Sequence, residues 1–426
     1  MKIVESGTKG FERELKKIKN RGDYSNDSIE DTVRTIIKKV KKEGDRAVIR
    51  FTKKFDGIDL SPDGYAIERK DIIKGAKKAS SGLVSDLKFA ANRIRKFHKN
   101  QLEKSWKVSE PGITLGQIIT PIAKVGIYAP GGKATYPSSV LMNAIPAQVA
   151  GVEKIFLATP TPNGKISPTI LAAAEIAGVD KIFPIGGAQS IAAMAYGTKT
   201  VEKVDKIVGP GNVYVAEAKR QLYGVVGIDM VAGPSEILIL ADKDSRVDFI
   251  AADLISQAEH DENAYPMLVT DSIELAKEVK KELARQANRQ ARGEMIIRSI
   301  KNNCIAFIVK DMKEGVELAN IVASEHLEIM TKNPNRELKG IVNAGAVFVG
   351  SYTPEAVGDY AAGPNHVLPT GGSARFFSPL GVYDFLKRTS LISFNKESLA
   401  KVGRQVISIA EDEGLSGHAE AVRKRL

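Results

Sequence analysis

The chain has 426 residues, 43% of them hydrophobic and 27% charged, and its formal net charge at pH 7 is +11. This length predicts two or more domains. The longest apolar runs fall short of the roughly 18–20 residues that span a bilayer, and the opening "MKIVESGTKGFERELKK" lacks the apolar core of an export signal. A single cysteine, Cys304, excludes intrachain disulfides and cysteine-based zinc clusters, so we expect a cytoplasmic protein without membrane contact.

The first hundred residues are predicted to be mostly helical. Residues 1–23 read as a short basic helical arm, and a second helix begins near Asp27 with apolar residues at helical spacing. A further amphipathic helix is expected near residues 84–104. It contains His98, which stands among lysines, and we expect this histidine to face solvent.

The pattern then changes to short apolar runs that each end in a glycine- or proline-rich turn. The runs are "KVGIYAPGG", "KIFLATPTP", "KIFPIGGAQ" and "KIVGPGN", and their spacing of roughly 25–30 residues is that of β-α-β units. A second series follows with "EILILAD", "PMLVTD", "NCIAFIVKD", "HLEIMT" and "GAVFVGS". The sequence thus predicts two α/β units with parallel sheets, with ligand-binding loops at the carboxyl ends of the strands. Cys304 is expected to be a buried, inert thiol.

Two phosphate-binding signatures are incomplete. In "VGIYAPGGKAT", Ile127 occupies the position where a P-loop needs glycine, and Ala134 replaces the serine or threonine. In "GPGNVY", Tyr214 stands where the dinucleotide fingerprint has its last glycine. A P-loop kinase is therefore disfavoured, although the backbone N–H groups of glycine-rich turns could still bind a nucleotide.

The histidines are concentrated near acids and amides. Only five occur in the chain, and four lie in its last 170 residues: His260, His326, His366 and His418. In "DLISQAEHDENAY", Gln257 and His260 stand three apart, so a helix would place them on one face. Because no known zinc spacing is present, a metal would need scattered ligands: these two residues, a carboxylate such as Asp359 and a further histidine. Nitrogen and oxygen donors of this kind suit zinc.

The stretch "SEHLE" points to acid–base chemistry. On a helix, the adjacent Glu325 and His326 would diverge by about 100° and would face different sides of a substrate. Such an arrangement suits acid–base work in successive steps. The alternative is a solvated helix start with Ser324 as its cap.

Long stretches over nearly the whole chain resemble one family. They are "VGIYAPGGKATYPSSVLMNAIPAQVAGV", "PIGGAQSIAAMAYGT", "VDKIVGPGNVYVAEAKR", "IDMVAGPSEILILAD", "DLISQAEHDENA", "ASEHLEI", "PEAVGDYAAGPNHVLPTGGSARFFSPLGVYDF" and "EDEGLSGHAEAVRKR". On these motifs the chain is identified as a member of the histidinol dehydrogenase family. The resemblance implies an α/β fold of two incomplete Rossmann-like parallel-sheet domains, one inserted in the other, plus small helical terminal segments. The implied segments are an N-terminal arm (1–23), a first domain (24–126 and 237–377), an inserted NAD-binding domain (127–236) and a C-terminal tail (378–426).

The resemblance also implies a cofactor set and a subunit arrangement. One zinc ion per site is expected on Gln257, His260, Asp359 and His418, the last supplied by the other subunit of a homodimer. The 378–426 tail is too small to enclose a core alone, which agrees with a tail that reaches a partner.

The implied reaction is the oxidation of L-histidinol to L-histidine through L-histidinaldehyde, with two NAD+ and one water consumed. In this scheme His326 takes the alcohol proton and Glu325 activates the water. The metal ligands and His326 would also contact substrate, together with Ser235 and Glu413, and His366 would be an accessory.

The remaining implied contacts belong to NAD. Tyr128, Gln189 and Asn212 match the positions that contact this cofactor, which would explain a dinucleotide site without the glycine fingerprint.

Two other functions stay open from the residues alone. The same acid, histidine and metal set could serve a zinc-dependent hydrolase or lyase without a nicotinamide cofactor. A basic nucleic-acid-binding module is the third possibility, but the lysines alternate with glutamates as on solvated helices, so we expect no nucleic-acid partner.

Overall fold

The computed structural model describes residues 1–22, 26–131, 135–161 and 164–426. Within these residues the strands are β1 (Lys2–Glu5), β2 (Ile67–Glu68), β3 (Trp106–Glu110), β4 (Ile113–Pro121), β5 (Lys124–Tyr128), β6 (Lys154–Ala158), β7 (Lys181–Phe183), β8 (Lys206–Val208), β9 (Gly227–Ile228), β10 (Glu236–Ala241), β11 (Tyr265–Thr270), β12 (Ile305–Ile308), β13 (His326–Met330), β14 (Ala346–Val349) and β15 (Leu386–Phe394).

Helices separate most of these strands. They are α1 (Lys9–Lys19), α2 (Asp27–Glu43), α3 (Asp45–Asp56), α4 (Arg69–Ala76), α5 (Ser81–His98), α6 (Pro137–Ala150), α7 (Pro168–Ile176), α8 (Gly187–Tyr196), α9 (Val213–Leu222), α10 (Val247–Ala258), α11 (Ile273–Ala287), α12 (Gly293–Asn303), α13 (Met312–Val322), α14 (Pro334–Leu338), α15 (Glu355–Val357), α16 (Lys396–Asp412) and α17 (Ser416–Arg423). Tight 3-10 turns occur at Lys99–Gln101, Ser373–Arg375 and Val382–Phe385, and a wider π-type turn at Gly358–Ala362 follows α15.

The first sheet is parallel throughout and has the strand order β1-β12-β11-β10-β13-β14. Because the order reverses on either side of β10, the sheet is doubly wound and carries helices on both faces. Ile237 and Ile239 of β10 pack with α10, α11 and α12, whereas Leu238 and Leu240 pack with α1 and α13. This alternation is the period of two of a strand that is buried on both faces.

The second sheet repeats the arrangement with the order β2-β7-β6-β5-β8-β9. Its strands are parallel except for β2, a two-residue antiparallel edge. One face packs with α4, α5, α6 and α7, and the other with α2, α3, α8 and α9. The prediction of two Rossmann-like parallel-sheet units is confirmed.

Helices α2 to α5 lie against the second sheet, which differs from the predicted grouping of residues 24–126 with 237–377. Val33 and Phe51 share a core with Phe156, and Ile94 shares a core with Val125. An amphipathic pattern predicts that a helix has an apolar face but does not identify the surface that covers it. The arm at 1–22 differs as well, because β1 precedes α1 and joins the edge of the first sheet beside β12.

The C-terminal tail docks on a third, antiparallel sheet of order β15-β4-β3. β15 pairs with β4 over nine residues, from Leu386 opposite Pro121 to Phe394 opposite Ile113. Helices α16 and α17 then pack on one another. Across the described ranges, no helix is long and apolar enough to cross a membrane.

His98 is fully buried, so the expectation that it faces solvent is wrong. Its Nδ1 lies 2.9 Å from the Ile94 carbonyl oxygen, and burial lowers its pKa below the usual value. The flanking Lys96 and Lys99 point elsewhere, because each residue along a helix turns by about 100°. Cys304 is buried, as expected, and burial raises the pKa of its thiol to about 12.

Candidate active site

The predicted acid–base residues lie at the amino ends of the central strands of the first sheet. In the register of β10 and β13, Ile237 stands opposite His326, so Glu236 and Glu325 are also neighbours. His326 begins a strand, and the Ser324 hydroxyl donates to its carbonyl oxygen at 2.9 Å. The helical interpretation of "SEHLE" is therefore wrong. These residues lie at the edge opposite to the carboxyl ends, where ligand-binding loops were expected.

The backbone of Glu236 holds both acid–base side chains. Its N–H donates to Oε2 of Glu325 at 2.9 Å, and its carbonyl oxygen lies 2.8 Å from Nδ1 of His326. Because a carbonyl can only accept, Nδ1 carries the hydrogen and Nε2 of the neutral ring is left as the basic nitrogen.

Burial sets the protonation of this couple. Glu325 and His326 are 7% and 5% exposed. Burial raises the pKa of Glu325 well above its usual value and lowers the pKa of His326 to about 4. A neutral imidazole is the form that accepts a proton, and a carboxylate of raised pKa is a stronger base than an exposed one.

A cluster of nitrogen and oxygen donors stands beside this couple. Donor atoms of His260, Glu355 and Asp359 all lie within 4.8 Å of one another. Oε1 of Glu355 is 4.0 Å from Nε2 of His260 and 3.8 Å from Nε2 of His326. The end of the Gln257 side-chain amide lies against the same carboxylate, 3.1 and 3.0 Å from the two Glu355 oxygens. This donor set fits a zinc ion by its chemistry.

The chain brings these donors together at the end of a helix. Gln257 lies in the last turn of α10 and is fully buried, whereas His260 lies two residues beyond the helix end at Ala258. The His260 N–H still donates to the Gln257 carbonyl at 3.3 Å, so the turn continues the helical direction. Burial lowers the pKa of His260, which favours the neutral ring that binds metals.

Asp359 and His366 complete the same region. Nδ1 of His366 lies 3.6 Å from Oδ1 of Asp359. Burial raises the pKa of Asp359, but the neighbouring imidazoles of His366, His326 and His260 outweigh burial, and the net pKa is lowered. Arg93 of α5 donates to the carbonyl oxygens of Ala361 and Ala362, at 2.9 and 3.4 Å, and so holds the turn that carries Asp359.

The two predicted residues of the tail are placed differently. Glu413 follows α16 and His418 lies in α17, and both are exposed. No hydrogen bond or ion pair between described residues joins either one to the donor cluster. Ser235, by contrast, is half-buried directly before β10, where its carbonyl oxygen accepts from the Tyr265 N–H at 3.0 Å.

The predicted NAD contacts lie at the carboxyl ends of the second sheet. Tyr128 ends β5, and its hydroxyl oxygen accepts from the Gly187 N–H at 3.3 Å. Gln189, in the first turn of α8, is 1% exposed, and neither polar atom of its amide has a partner within the described chain. Buried amides are rarely left so, which makes Gln189 a candidate ligand contact. Asn212 is exposed and caps the amino end of α9.

The loop before Asn212 is fixed by a buried ion pair. Lys219 donates to the Gly209 carbonyl oxygen at 3.0 Å, and Oδ2 of Asp229 accepts from the Gly209 N–H at 2.8 Å. Lys219 and Asp229 also pair with each other, with side chains 2% and 1% exposed. Gly209 has φ +110°, and a Cβ there would lie 2.1 Å from the Tyr128 carbonyl oxygen, so only glycine fits. The incomplete P-loop residues 132–134 lie outside the described residues.

Sequence reasoning missed Glu355 and Glu236. In "PEAVGD", Glu355 precedes Asp359 by four residues, so a helical turn would have placed both on one face. Glu236 gave no comparable signal, because its backbone N–H and carbonyl are the groups that bind the side chains of the couple.

The chain has two doubly wound sheets. The first carries an acid–imidazole couple beside a cluster of nitrogen and oxygen donors, and the second carries the buried, unpartnered amide of Gln189. These features fit an α/β enzyme of the dehydrogenase type. The model of the histidinol dehydrogenase family matches residues 19–426, and the chain belongs to that family of NAD-dependent oxidoreductases of histidine biosynthesis. Its similarity to known members is high over full length. It is 50% identical to histidinol dehydrogenase from Aquifex aeolicus over 411 residues, which are 96% of each chain.

Two further relatives agree. The chain is 47% identical over 427 residues to histidinol dehydrogenase from Clostridium acetobutylicum, with 100% of this chain and 99% of that protein covered. Its fold matches the crystal structure of histidinol dehydrogenase from Elizabethkingia anophelis with a TM-score of 0.92 and 34% identity, over 100% of this chain and 98% of that one. The predicted family and fold class are confirmed.

Proposed function

We propose that the site described above oxidises L-histidinol to L-histidine through L-histidinaldehyde, with one zinc ion per site and two NAD+ and one water consumed. One observation carries the proposal. The candidate metal ligand His260 and the candidate base His326 both lie within 4.0 Å of one oxygen of Glu355. A substrate held by the ligands would therefore lie within reach of the base.

The metal would be held by Gln257, His260 and Asp359, with His418 supplied by the other subunit of a homodimer. When bound, zinc would supply a fixed positive charge that orients the substrate imidazole and amine and polarises the reacting oxygen. Glu355 adds a carboxylate in the same place.

The first step needs a base at the carbinol oxygen. His326 suits this role, because the Glu236 carbonyl fixes its tautomer and leaves Nε2 free to take the hydroxyl proton. The chemistry that bound NAD would supply is hydride acceptance in each of the two steps.

The second step needs an activated water, because Cys304 is buried and no other cysteine exists to form a thiohemiacetal. Glu325 suits this role as a carboxylate whose pKa is raised by burial. We assign substrate contacts to Ser235, Glu413 and the ligand residues, and an accessory role to His366.

NAD would lie against the carboxyl ends of the second sheet, in contact with Tyr128, Gln189 and Asn212. The buried amide of Gln189 supports this assignment, since a nicotinamide carboxamide or a ribose hydroxyl could satisfy it. The fixed Gly209 loop offers a preorganised wall for the cofactor.

A homodimer with shared sites is supported by the tail. β3, β4, β15 and α16 expose large apolar side chains: Trp106, Val108, Leu115, Ile392 and Ile409. We also propose a cytoplasmic location and no nucleic-acid partner.

The overall proposal is tested with purified protein, L-histidinol and NAD+. We expect two NADH per histidine formed, and loss of activity when a chelator removes the metal. Turnover of histidinol without NADH absorbance would favour a zinc-dependent hydrolase or lyase instead.

The assignment of Glu325 to water activation in the aldehyde step is tested by Glu325→Gln. We expect oxidation of added histidinaldehyde to slow more than oxidation of histidinol, because only the aldehyde step needs an activated water. Arg69→Met, which alters a half-buried arginine at the start of α4, serves as a control and should leave both rates unchanged. Equal losses in both steps would contradict the assignment.

The crossing of His418 between subunits is tested by mixing two inactive variants, His418→Asn and Gln257→Ala. In a mixed dimer with shared sites, one site contains both substitutions and the other site contains only native ligands, so activity should return. If both ligands came from one chain, every site would keep a defect, and a verified heterodimer would stay inactive.

A further inference from the structure

The pair formed by Arg21 and Glu236 is completely buried behind the acid–base couple, with both side chains 0% exposed. Nε of Arg21 donates to Oε1 of Glu236 and Nη2 donates to Oε2, each at 2.7 Å. Such a bidentate contact fixes the relative orientation of the two planar groups. It joins the N-terminal arm, after α1, to the first residue of β10.

Glu236 is the residue that holds the couple. Its backbone N–H and carbonyl bind Glu325 and His326, and its carboxylate accepts from the Gly371 N–H at 2.7 Å and from the Glu325 N–H at 3.4 Å. Glu236 thus holds both members of the couple by hydrogen bonds. Arg21 in turn fixes the position of Glu236.

Arg21 also supports the turn that leads into the couple. Its Nη2 donates to the Val322 carbonyl oxygen at 2.9 Å and its Nη1 to the Ile18 carbonyl oxygen at 2.7 Å. Val322 is the last residue of α13, and Ala323 after it has φ +49°, a left-handed conformation that alanine rarely adopts. Such a conformation persists only where the surroundings impose it. Glu325 follows two residues later.

We propose that Arg21 and Glu236 are positioning residues of the reaction, which hold Glu325 and His326 in place through the backbone of Glu236 and through the Val322–Ala323 turn. This inference rests on the proposed function, because it takes the roles of Glu325 and His326 from it. Neither Arg21 nor the carboxylate of Glu236 contacts substrate in this scheme, so their loss changes turnover rather than binding.

The test is the double variant Arg21→Met with Glu236→Gln, which removes both charges together and leaves no unpaired buried ion. We expect kcat for histidinol to fall by about 10- to 100-fold, while KM for histidinol and NAD+ changes by less than about twofold. Arg69→Met is the matched control, because it removes one arginine that likewise binds two backbone carbonyls, those of Glu175 and Val179, in the unit of the second sheet. It should leave kcat and KM unchanged.

A double-mutant cycle separates positioning from general stability. When Arg21→Met and Glu236→Gln are added to Glu325→Gln, the further loss of kcat should be much smaller than in the wild-type background, because part of the machinery they hold is already gone. Multiplicative losses would mean that the pair acts independently of Glu325, and the inference would be overturned.

Arg21→Lys provides a second, milder variant, since lysine keeps the charge but lacks the planar fork. We expect an intermediate kcat with unchanged KM, and this variant decides the matter if the double variant does not fold. Wild-type kcat in Arg21→Lys would then refute positioning. If Glu325→Gln itself kept full activity, the proposed function would fail; if Glu325→Gln were impaired while both Arg21 variants behaved as wild type, only the positioning inference would fail.

Discussion

The buried pair of Lys219 and Asp229 allows a quantitative test of how the second sheet holds its loop. In Lys219→Met, the Asp229 carboxylate loses its cationic partner in a position where its side chain is 1% exposed, and the Gly209 carbonyl loses its donor. Breaking a buried ion pair on one side costs about 3–5 kcal/mol, because the remaining charge is not compensated. We therefore expect the free energy of unfolding to fall by about that amount.

Adding Asp229→Asn to Lys219→Met should recover much of the loss. Asparagine removes the uncompensated charge and still offers an oxygen to the Gly209 N–H, so the remaining cost is that of the Gly209 carbonyl, about 1–3 kcal/mol. The control is Lys154→Met, which breaks an ion pair with Asp180 in the same sheet where both side chains are partly exposed. Exposed pairs contribute about 0–1 kcal/mol, so its effect should be small.

The assays are urea unfolding followed by fluorescence and titration with NAD+. Lys219→Met should lower the urea midpoint most, the double variant less and Lys154→Met least. Both variants at Lys219 should bind NAD+ about tenfold more weakly, or about 1.4 kcal/mol, because the loop before Asn212 loses one of its two anchors. The reasoning is refuted if the double variant is no more stable than Lys219→Met, or if NAD+ affinity is unchanged in both.

Three further outcomes are expected. Gly209→Ala should raise KM for NAD+ strongly while histidinol still binds, because its Cβ would collide with the Tyr128 carbonyl oxygen; this is read from steady-state kinetics and calorimetry. Cys304 should react with a thiol reagent only as fast as the chain unfolds, which a stopped-flow comparison with and without urea would detect, since the thiol is buried and its pKa is about 12. Burial lowers the pKa of His98 below its usual value of about 6.5. As pH falls below about 6.5, the unfolded chain therefore protonates this histidine before the folded chain does. The free energy of unfolding decreases over this range, down to the lowered pKa of the folded state. The drop in urea midpoint between pH 7 and pH 5 should therefore be smaller in His98→Gln than in the wild type, and an equal drop would contradict the burial argument.

Local patterns predicted most strands of the two parallel sheets, but they did not predict the antiparallel sheet of β15, β4 and β3. The apolar runs and their spacing predicted both parallel sheets, because a strand buried on both faces carries its signal in a few consecutive residues. The same patterns could not assign α2 to α5 to a sheet, since an apolar stripe fits either one. For His98, the neighbouring lysines suggested solvent although the ring itself points inward.

The position of the acid–base couple could not be predicted from the local sequence alone. "SEHLE" fits a capped helix as well as a strand start, and only the pairing of β13 with β10 decides between them. That pairing joins Glu325 to Glu236, which are 89 residues apart in the chain. The chemistry of the two side chains was predictable, whereas the backbone that holds them was not.

The donor cluster depends on contacts of still longer range, and these contacts place the candidate site at the amino ends of the first sheet. The turn that carries Asp359 is held by Arg93 from a helix of the second sheet, across 268 residues, and Asn365 just beyond it donates to the Met142 carbonyl oxygen at 2.6 Å, across 223 residues. The segment after β14 therefore bridges the two sheet units. It places the Asp359 carboxylate beside His260 and Glu355. The amino ends of the first sheet are thus the edge at which the candidate acid–base couple, the candidate metal ligands and a support from the other unit meet.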